Sequence, residues 1–196
     1  MALSRLRLVL WALVAFAAIA ATGLYAYATI RGSTQTAGIG HGDYRLTTAS
    51  GEEFTRASLN GSPSMLFFGF THCPEVCPTS LAEMASWYEA LGAEGDDLKA
   101  FFVTVDPERD TAEIIGDYVS WTGRVTGVTG SLPEIEKAAK SWAVHYEKIP
   151  LEGGDYTMDH TASVFLLDRQ GEFQGTIAYR ENSDTALAKL RRLIGG

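Results

Sequence analysis

Short apolar runs and amphipathic stretches alternate along residues 44–196. Uninterrupted apolar runs are typical of buried strands, and apolar residues at helical spacing are typical of amphipathic helices. Strands are predicted at 64–70, 98–105, 124–128, 161–167 and 172–179, after a preliminary hairpin at 44–50 and around Phe54. Helices are predicted at 78–91, after Asp110, after Ser131 and at 183–193. This order predicts an α/β domain whose mixed sheet is covered by helices on both faces.

Two of the helix starts carry capping signals. Asp110 is followed three residues later by Glu113, and Ser131 by Glu134, with Pro133 in the first turn of the second helix. A short polar side chain followed by glutamate at this spacing is typical of a capping box. The residues expected to face the core are Ile114, Ile115, Tyr118 and Val119 in the first helix and Leu132, Ile135, Ala139 and Trp142 in the second.

Residues 1–31 are predicted to form a membrane anchor. Arg5 and Arg7 precede an uncharged apolar run over 8–30. At about 1.5 Å per residue, this run is long enough to cross a hydrocarbon core of about 30 Å. The flanking arginines predict a cytoplasmic N-terminus and an exported C-terminal part. A cleaved signal peptide is the alternative, because 26–28 resembles a cleavage site, but the run is longer than a usual signal-peptide core.

The rest of the chain is expected to be a tether followed by one domain. Residues 32–43 are rich in glycine, serine and threonine, which favours a flexible linker. Residues 44–196 are enough for one domain with one core. The whole chain has a formal net charge of −8, and its exported part is more negative still. This charge argues against nucleic acid or an anionic membrane surface as a partner of the domain.

The chain contains two cysteines, Cys73 and Cys77, between a predicted strand and a predicted helix. The start of a helix favours thiolate over thiol, and one helical turn would place both sulfurs on one face. The pair therefore suits either a soft metal ion or a reversible disulfide. A purely structural disulfide is less favoured, because the loop that it would close is too short to add much stability.

Among the four histidines, His160 is the best third ligand for a metal held by these cysteines. It lies in a predicted loop just before an apolar strand, where a sheet of this kind can bring it beside the cysteine turn. Asp159 next to it is a candidate for ordering that loop. His41 is expected to be solvated in the tether and His145 to lie at a helix end, whereas His72 either tunes the neighbouring thiolate or bonds to backbone.

Three segments, at 71–79, 106–111 and 159–161, resemble the signatures of the Sco/SenC family. The resemblance implies a thioredoxin-like domain behind an N-terminal transmembrane helix. It also implies a copper chaperone that helps to mature the CuA centre of cytochrome c oxidase, with Cys73, Cys77 and His160 as copper ligands. Its expected partners are the copper-bearing subunit of the oxidase and an upstream copper donor. The arginines and the apolar run at the N-terminus predict a single-pass protein of the inner membrane, with its domain in the periplasm, or on the intermembrane side in an organelle.

The chemistry of the candidate ligands agrees with this resemblance. Two thiolates and one imidazole match soft Cu(I), and Cu(II) would depend more on the imidazole. Zn(II) usually takes a fourth ligand in a closed structural site, and the sequence offers no obvious candidate. Because metal ligands must be reduced and deprotonated, a disulfide between Cys73 and Cys77 would abolish binding.

Two alternatives use the same cysteines. The first is a thiol-disulfide oxidoreductase that acts on the oxidase subunit or in redox sensing. The second is a thiol peroxidase, which is the least favoured because Thr71 lies only two residues before Cys73 and does not match a Thr-x-x-Cys site. A metallochaperone is thus expected rather than an enzyme, with Cys73 and Cys77 as a redox-active pair.

Overall fold

The computed structural model describes Arg7, Trp11, residues 15–16, residues 18–23 and residues 38–196. The expected anchor at 1–31 and the first part of the expected tether lie largely outside the described residues. The described residues between Arg7 and Gly23 are helical, and no helix within the described part of the chain is long and apolar enough to cross a membrane. The chain divides into two compact units, Met1–Gly38 and Ile39–Gly196. The second unit contains all the candidate ligands, Cys73, Cys77 and His160.

A seven-stranded sheet forms the centre of this second unit. The strands in chain order are β1 (Leu46–Thr48), β2 (Glu53–Phe54), β3 (Ser64–Gly69), β4 (Lys99–Thr104), β5 (Val125–Thr129), β6 (Tyr146–Pro150), β7 (Tyr156–His160), β8 (Ser163–Leu167) and β9 (Phe173–Ala178). The central sheet has the order β2-β1-β5-β4-β3-β8-β9, and β6 pairs with β7 in a separate hairpin. Strands β3, β4 and β5 are parallel, and their outer neighbours are antiparallel. The sheet is therefore mixed, as expected.

Four α-helices accompany the strands in the described part of this unit. They are α1 (Val76–Leu91), α2 (Ala112–Ser120), α3 (Leu132–Ser141) and α4 (Ser183–Gly195), with short 3-10 turns at Arg56–Leu59 and Gly92–Gly95. Every residue of β3 is buried, including side chains that point to opposite sides of the sheet. Both faces of the sheet are thus covered, which confirms the predicted α/β class.

Strand pairing brings the sequence motifs to one edge of the sheet. Because β3 and β4 run parallel with Gly69 opposite Thr104, the segments that follow them leave from the same edge. Strand β8 runs antiparallel to β3, with Val164 opposite Phe67, so the start of β8 lies at that edge too. The turn after β3, the loop after β4 and the residues before β8 therefore meet there.

The hairpin of β6 and β7 differs from expectation, because the residues before β8 were predicted to form a loop. They form a strand that ends at His160 and pairs along its length with β6. The sequence gives little sign of this hairpin, since four of the five residues of β6 are exposed and only Met158 of β7 is buried. Its backbone hydrogen bonds form without the apolar alternation by which a half-buried strand is usually predicted.

Neither of the two predicted capping boxes forms. Thr111 caps α2, and its side chain accepts a hydrogen bond from the backbone N–H of Ile114. Asp110 is completely buried and accepts hydrogen bonds from interior groups instead. Ser131 is the N-cap of α3 and Pro133 lies in its first turn, as predicted, but the Ser131 side chain makes no capping hydrogen bond. Glu134 does not close the box and accepts from the backbone N–H of Arg45 at 2.7 Å instead.

Two of the residues expected to face the core are exposed. Ile114 is 42 % exposed and Leu132 is 41 % exposed. Ile114 directly precedes the buried Ile115 and so lies on a different side of α2. Leu132 lies on the same side of α3 as the buried Ile135, but it is the first residue of the helix and stays exposed there.

The Asp110 carboxylate ties the turn after β3 to the end of β4. It accepts hydrogen bonds from the backbone N–H of Thr71 at 3.0 Å, the hydroxyl of Thr71 at 2.5 Å and the hydroxyl of Thr104 at 2.6 Å. The carbonyl of Asp110 accepts a further bond from the hydroxyl of Thr129, at the end of β5. One buried residue thus fixes the ends of all three parallel strands relative to one another.

We predict that Asp110→Ala lowers the free energy of unfolding by about 3 kcal/mol or more, because each buried donor left without an acceptor costs about 1–3 kcal/mol. Urea unfolding of the reduced protein, followed by circular dichroism, measures this loss. Asp117→Ala is the matched control. It removes an exposed carboxylate from α2 and should change stability by less than about 0.5 kcal/mol. Equal losses in the two variants would contradict the role given to Asp110.

Candidate metal centre

The two cysteines lie where β3 passes into α1. After Gly69 the chain continues through buried Phe70, and α1 begins at Val76, so Cys77 lies in its first turn. The backbone N–H of Cys77 has no partner within the helix at that position and donates to the sulfur of Cys73, with a distance of 3.4 Å. The free N–H groups and the positive dipole of a helix start stabilise a thiolate. The turn is therefore built to hold Cys73 as an anion.

The two thiols differ in their acidity and exposure. Cys73 is half-buried and Cys77 is buried, and both are free. A hydrogen bond from the Cys77 side chain lowers the pKa of Cys73 well below that of an ordinary thiol, against the opposing effect of burial. The same hydrogen bond, together with burial, raises the pKa of Cys77. One thiolate accepting a hydrogen bond from one thiol is thus the favoured reduced form.

His160 points its Nε2 atom at the sulfur of Cys77, at a distance of 3.5 Å. Its other ring nitrogen, Nδ1, lies 3.1 Å from the backbone carbonyl oxygen of Thr161. Since a carbonyl only accepts hydrogen bonds, Nδ1 carries the proton and Nε2 presents a lone pair toward the sulfur. Phe67 and Phe70 contact the imidazole edge-on, with ring centroids 6.2 and 5.7 Å away. These contacts fix the orientation of the ring.

The three side chains form a compact donor set. The sulfurs of Cys73 and Cys77 and a ring nitrogen of His160 all lie within 4.8 Å of one another, and no other group of three potential ligands occurs among the described residues. Two sulfurs and one imidazole nitrogen suit a soft ion such as Cu(I). A closed zinc site would need a fourth ligand, which this group does not supply.

Gly69 leaves room for the sulfur of Cys77. A Cβ atom at this position would lie 2.8 Å from that sulfur and 2.6 Å from the ring of Phe102. Both distances are far below an ordinary contact, so any side chain here would displace Cys77. The close approach of backbone to sulfur explains why glycine ends β3.

The other histidines lie outside this donor set. His72 is exposed, and its Nδ1 lies 3.1 Å from the hydroxyl of Thr71, so it neither touches a thiolate nor bonds to backbone. His41 is half-exposed, and its Nε2 lies 3.0 Å from a carboxylate oxygen of Glu172. His145 and Asp159 are exposed.

Sequence reasoning missed the residues that hold the donor set in place. The sequence pattern predicts only a helix cap at Asp110, whereas the structure shows that Asp110 fixes Thr71, two residues before Cys73. The available signal was its position in a polar loop directly after a buried strand. Thr71, for its part, donates to Asp110 and does not point at a cysteine, which removes the basis for the thiol peroxidase hypothesis.

Known proteins are similar to this chain in sequence and fold. The family model described as SCO1/SenC matches residues 32–195. The structure of Bradyrhizobium japonicum ScoI with copper bound is 42% identical, with a TM-score of 0.73, and the match covers 79% of this chain and 99% of that one. The structure of BsSco, described as a member of the Sco family of cytochrome c oxidase assembly proteins, is 26% identical, with a TM-score of 0.62, covering 77% and 91%. The likeness confirms the expected thioredoxin-like fold.

The human SCO1 homolog, a mitochondrial protein, is 38% identical over 136 residues, which is 67% of this chain and 45% of that protein. The chain spans about half the length of such curated relatives. A family model that covers nearly the whole chain, a shared fold and relatives of this identity lead to one conclusion: the chain belongs to the SCO1/SenC family.

Proposed function

We propose that this protein is a copper chaperone that binds copper through Cys73, Cys77 and His160 and helps to mature the CuA centre of cytochrome c oxidase. The observation that carries the proposal is the placement of two sulfurs and one imidazole nitrogen within 4.8 Å of one another. The copper-bound structure of ScoI and the description of BsSco as an oxidase assembly protein support it.

The ligands differ in a way that suits a transferable cargo. His160 is held by its hydrogen bond to the Thr161 carbonyl, which orients Nε2 for an incoming ion. Cys77 is buried, whereas Cys73 is partly accessible. A partner's thiolate can therefore approach the ion from the side of Cys73. Copper is the substrate here, received from an upstream donor and passed to the copper-bearing subunit of the oxidase.

Thiol-disulfide exchange is a second candidate function, favoured by the asymmetry of the cysteines. Cys73 combines partial exposure with a lowered pKa, as an attacking thiolate requires. Its sulfur would attack a disulfide of the oxidase subunit, and one partner thiolate would leave as a mixed disulfide forms. Cys77, once deprotonated, would then attack the sulfur of Cys73 and release the second partner thiolate. The partner gains two electrons, and this protein ends with a Cys73–Cys77 disulfide.

We place the protein in the inner membrane, anchored by 1–31, with 44–196 as a copper-binding domain in the periplasm or on the intermembrane side of an organelle. The arginines that flank the apolar run support this orientation. A reporter fused after Gly196 tests it. We predict that a reporter that works only outside the cytoplasm is active there, and strong activity of a cytoplasm-only reporter would contradict the topology.

Redox state should control copper binding. We predict that the reduced protein binds about one Cu(I) and the protein oxidised at Cys73–Cys77 binds essentially none, because disulfide sulfur is a poor ligand. Cys73→Ser and Cys77→Ser should each remove most of the affinity. Anaerobic metal analysis after Cu(I) loading measures the stoichiometry. Full binding by a variant that lacks both cysteines would place the site elsewhere.

Loss of the imidazole should weaken the binding of Cu(II) much more than the binding of Cu(I). Two thiolates alone can hold Cu(I), whereas Cu(II) prefers nitrogen ligands. We predict that His160→Ala retains part of the Cu(I) affinity, loses more than about 100-fold in Cu(II) affinity and fails to support oxidase assembly. The loss of a residue that only hydrogen-bonds to a metal ligand already lowers metal affinity by about 10- to 100-fold, and loss of the ligand itself should cost more. Chelator competition measures both affinities.

The controls for this variant are His41→Ala and His145→Ala, which lie outside the donor set and should leave both affinities unchanged. The disulfide should still form in His160→Ala. If all three variants behave alike in both copper states, His160 is structural and thiol-disulfide exchange becomes the leading function.

A further inference from the structure

The hairpin that carries His160 has few apolar contacts of its own. Four of the five residues of β6 are exposed, and Met158 is the one buried residue of β7. The hairpin also pairs with no strand of the central sheet. Segments with so little apolar burial are held weakly unless polar contacts fix them. Met158 and the partly buried Tyr146 and Tyr156 pack on the core. The position of His160 therefore depends on these few contacts together with the polar groups that join β7 to the rest of the domain.

Arg109, in the loop after β4, supplies such a tie. Its Nη1 donates to the backbone carbonyl of Tyr156 at 2.9 Å, and its guanidinium group stacks on the Tyr156 ring, 3.7 Å from the ring centroid. Its Nε donates to the carboxylate of Asp106 at 2.5 Å, and the Tyr156 hydroxyl donates to the other oxygen of that carboxylate at 2.9 Å. Tyr156 and His160 are the two ends of β7. The planar guanidinium of Arg109 thus binds β7 at Tyr156, four residues before His160.

The same loop is fixed to the cysteine turn. Asp110, the next residue after Arg109, receives the hydrogen bonds of Thr71 just ahead of Cys73. The loop of residues 106–110 therefore contacts both parts of the donor set. Asp110 binds the turn that carries the cysteines, and Arg109 binds β7, the strand that carries His160. Neither residue belongs to the donor set.

We propose that Arg109 is a positioning residue, which sets the distance between His160 and the two sulfurs by fixing β7 at Tyr156. The proposal rests on the proposed copper function of the same site. A lysine cannot replace it, because a single ammonium group cannot contact a carboxylate and a carbonyl in one plane while it stacks on a ring. The contact is also well shielded, with the Arg109 side chain 17% exposed and that of Asp106 2% exposed.

A double-mutant cycle between Arg109 and His160 tests this assignment in the full chain. We expect Arg109→Met to weaken Cu(II) binding by about 10- to 100-fold, as loss of an outer support of a metal ligand usually does. In a His160→Ala background the same substitution should change Cu(II) binding by less than about twofold, because the residue through which it acts is gone. Equal losses in the two backgrounds would overturn the proposal.

Two further variants separate positioning from general damage. Arg124→Met is the matched control, since Arg124 also pairs with an aspartate, Asp96, and stacks on a tyrosine, Tyr88, with no link to His160. It should leave Cu(II) affinity unchanged, and a loss equal to that of Arg109→Met would count against the proposal. The double variant Asp106→Asn/Arg109→Met avoids an unpaired buried carboxylate and should show the same loss as Arg109→Met.

A measurement on the reduced, metal-free protein makes the test independent of copper. In proton spectra of the unaltered protein, the imidazole signals of His160 should be shifted by the rings of Phe67 and Phe70, which contact the imidazole edge-on. In Arg109→Met these signals should move toward those of a solvated histidine, because β7 no longer holds the imidazole beside the two rings. An unchanged His160 signal would overturn the positioning role, even if copper bound. Absence of copper binding by the unaltered protein, with the change in the His160 signal present, would instead contradict the proposed function alone.

Discussion

The antiparallel pairing of β8 with β3 is the constraint on which the site depends. Because β8 starts where β3 ends, the residues before β8 must lie beside the residues after β3, and His160 comes to the cysteines from 83 positions away in sequence. The parallel pairing of β4 with β3 adds the loop of residues 106–110 at the same edge. Strand pairing thus brings three segments distant in sequence to one edge of the sheet.

The two halves of the donor set are held with unequal strength. The cysteines lie on a turn between a buried strand and a helix, and a buried carboxylate fixes that turn. The histidine ends a hairpin that is mostly exposed and is held by polar contacts. This difference suits the proposed transfer of copper, because the histidine side can yield to a partner while the sulfurs keep their places. The same rigid pair of sulfurs is available for disulfide chemistry when the metal is absent, so the two proposed functions compete for one pair of atoms.

The sequence was sufficient for the sheet, because β3, β4 and β8 are continuous apolar runs whose burial is unambiguous. It also pointed to His160 as the partner of the cysteines. It was insufficient for Asp110, since an aspartate before a helix has the same local pattern whether it caps the helix or turns inward. Only the proximity of Thr71 and Thr104, which depends on strand pairing, decides between these roles. The β6–β7 hairpin could not be predicted from the sequence for a related reason, since its position is set in part by polar contacts to distant residues such as Arg109.

The central claim is that two cysteine sulfurs and one histidine nitrogen coordinate the same copper ion. X-ray absorption spectroscopy of the reduced protein loaded with one Cu(I) tests it most directly, because sulfur and nitrogen ligands scatter differently at their characteristic distances. The spectrum should require two sulfur ligands and one imidazole nitrogen, and the nitrogen should disappear in His160→Ala while both sulfurs remain. A spectrum that is fitted without sulfur, or one in which the nitrogen survives the loss of His160, would contradict the account.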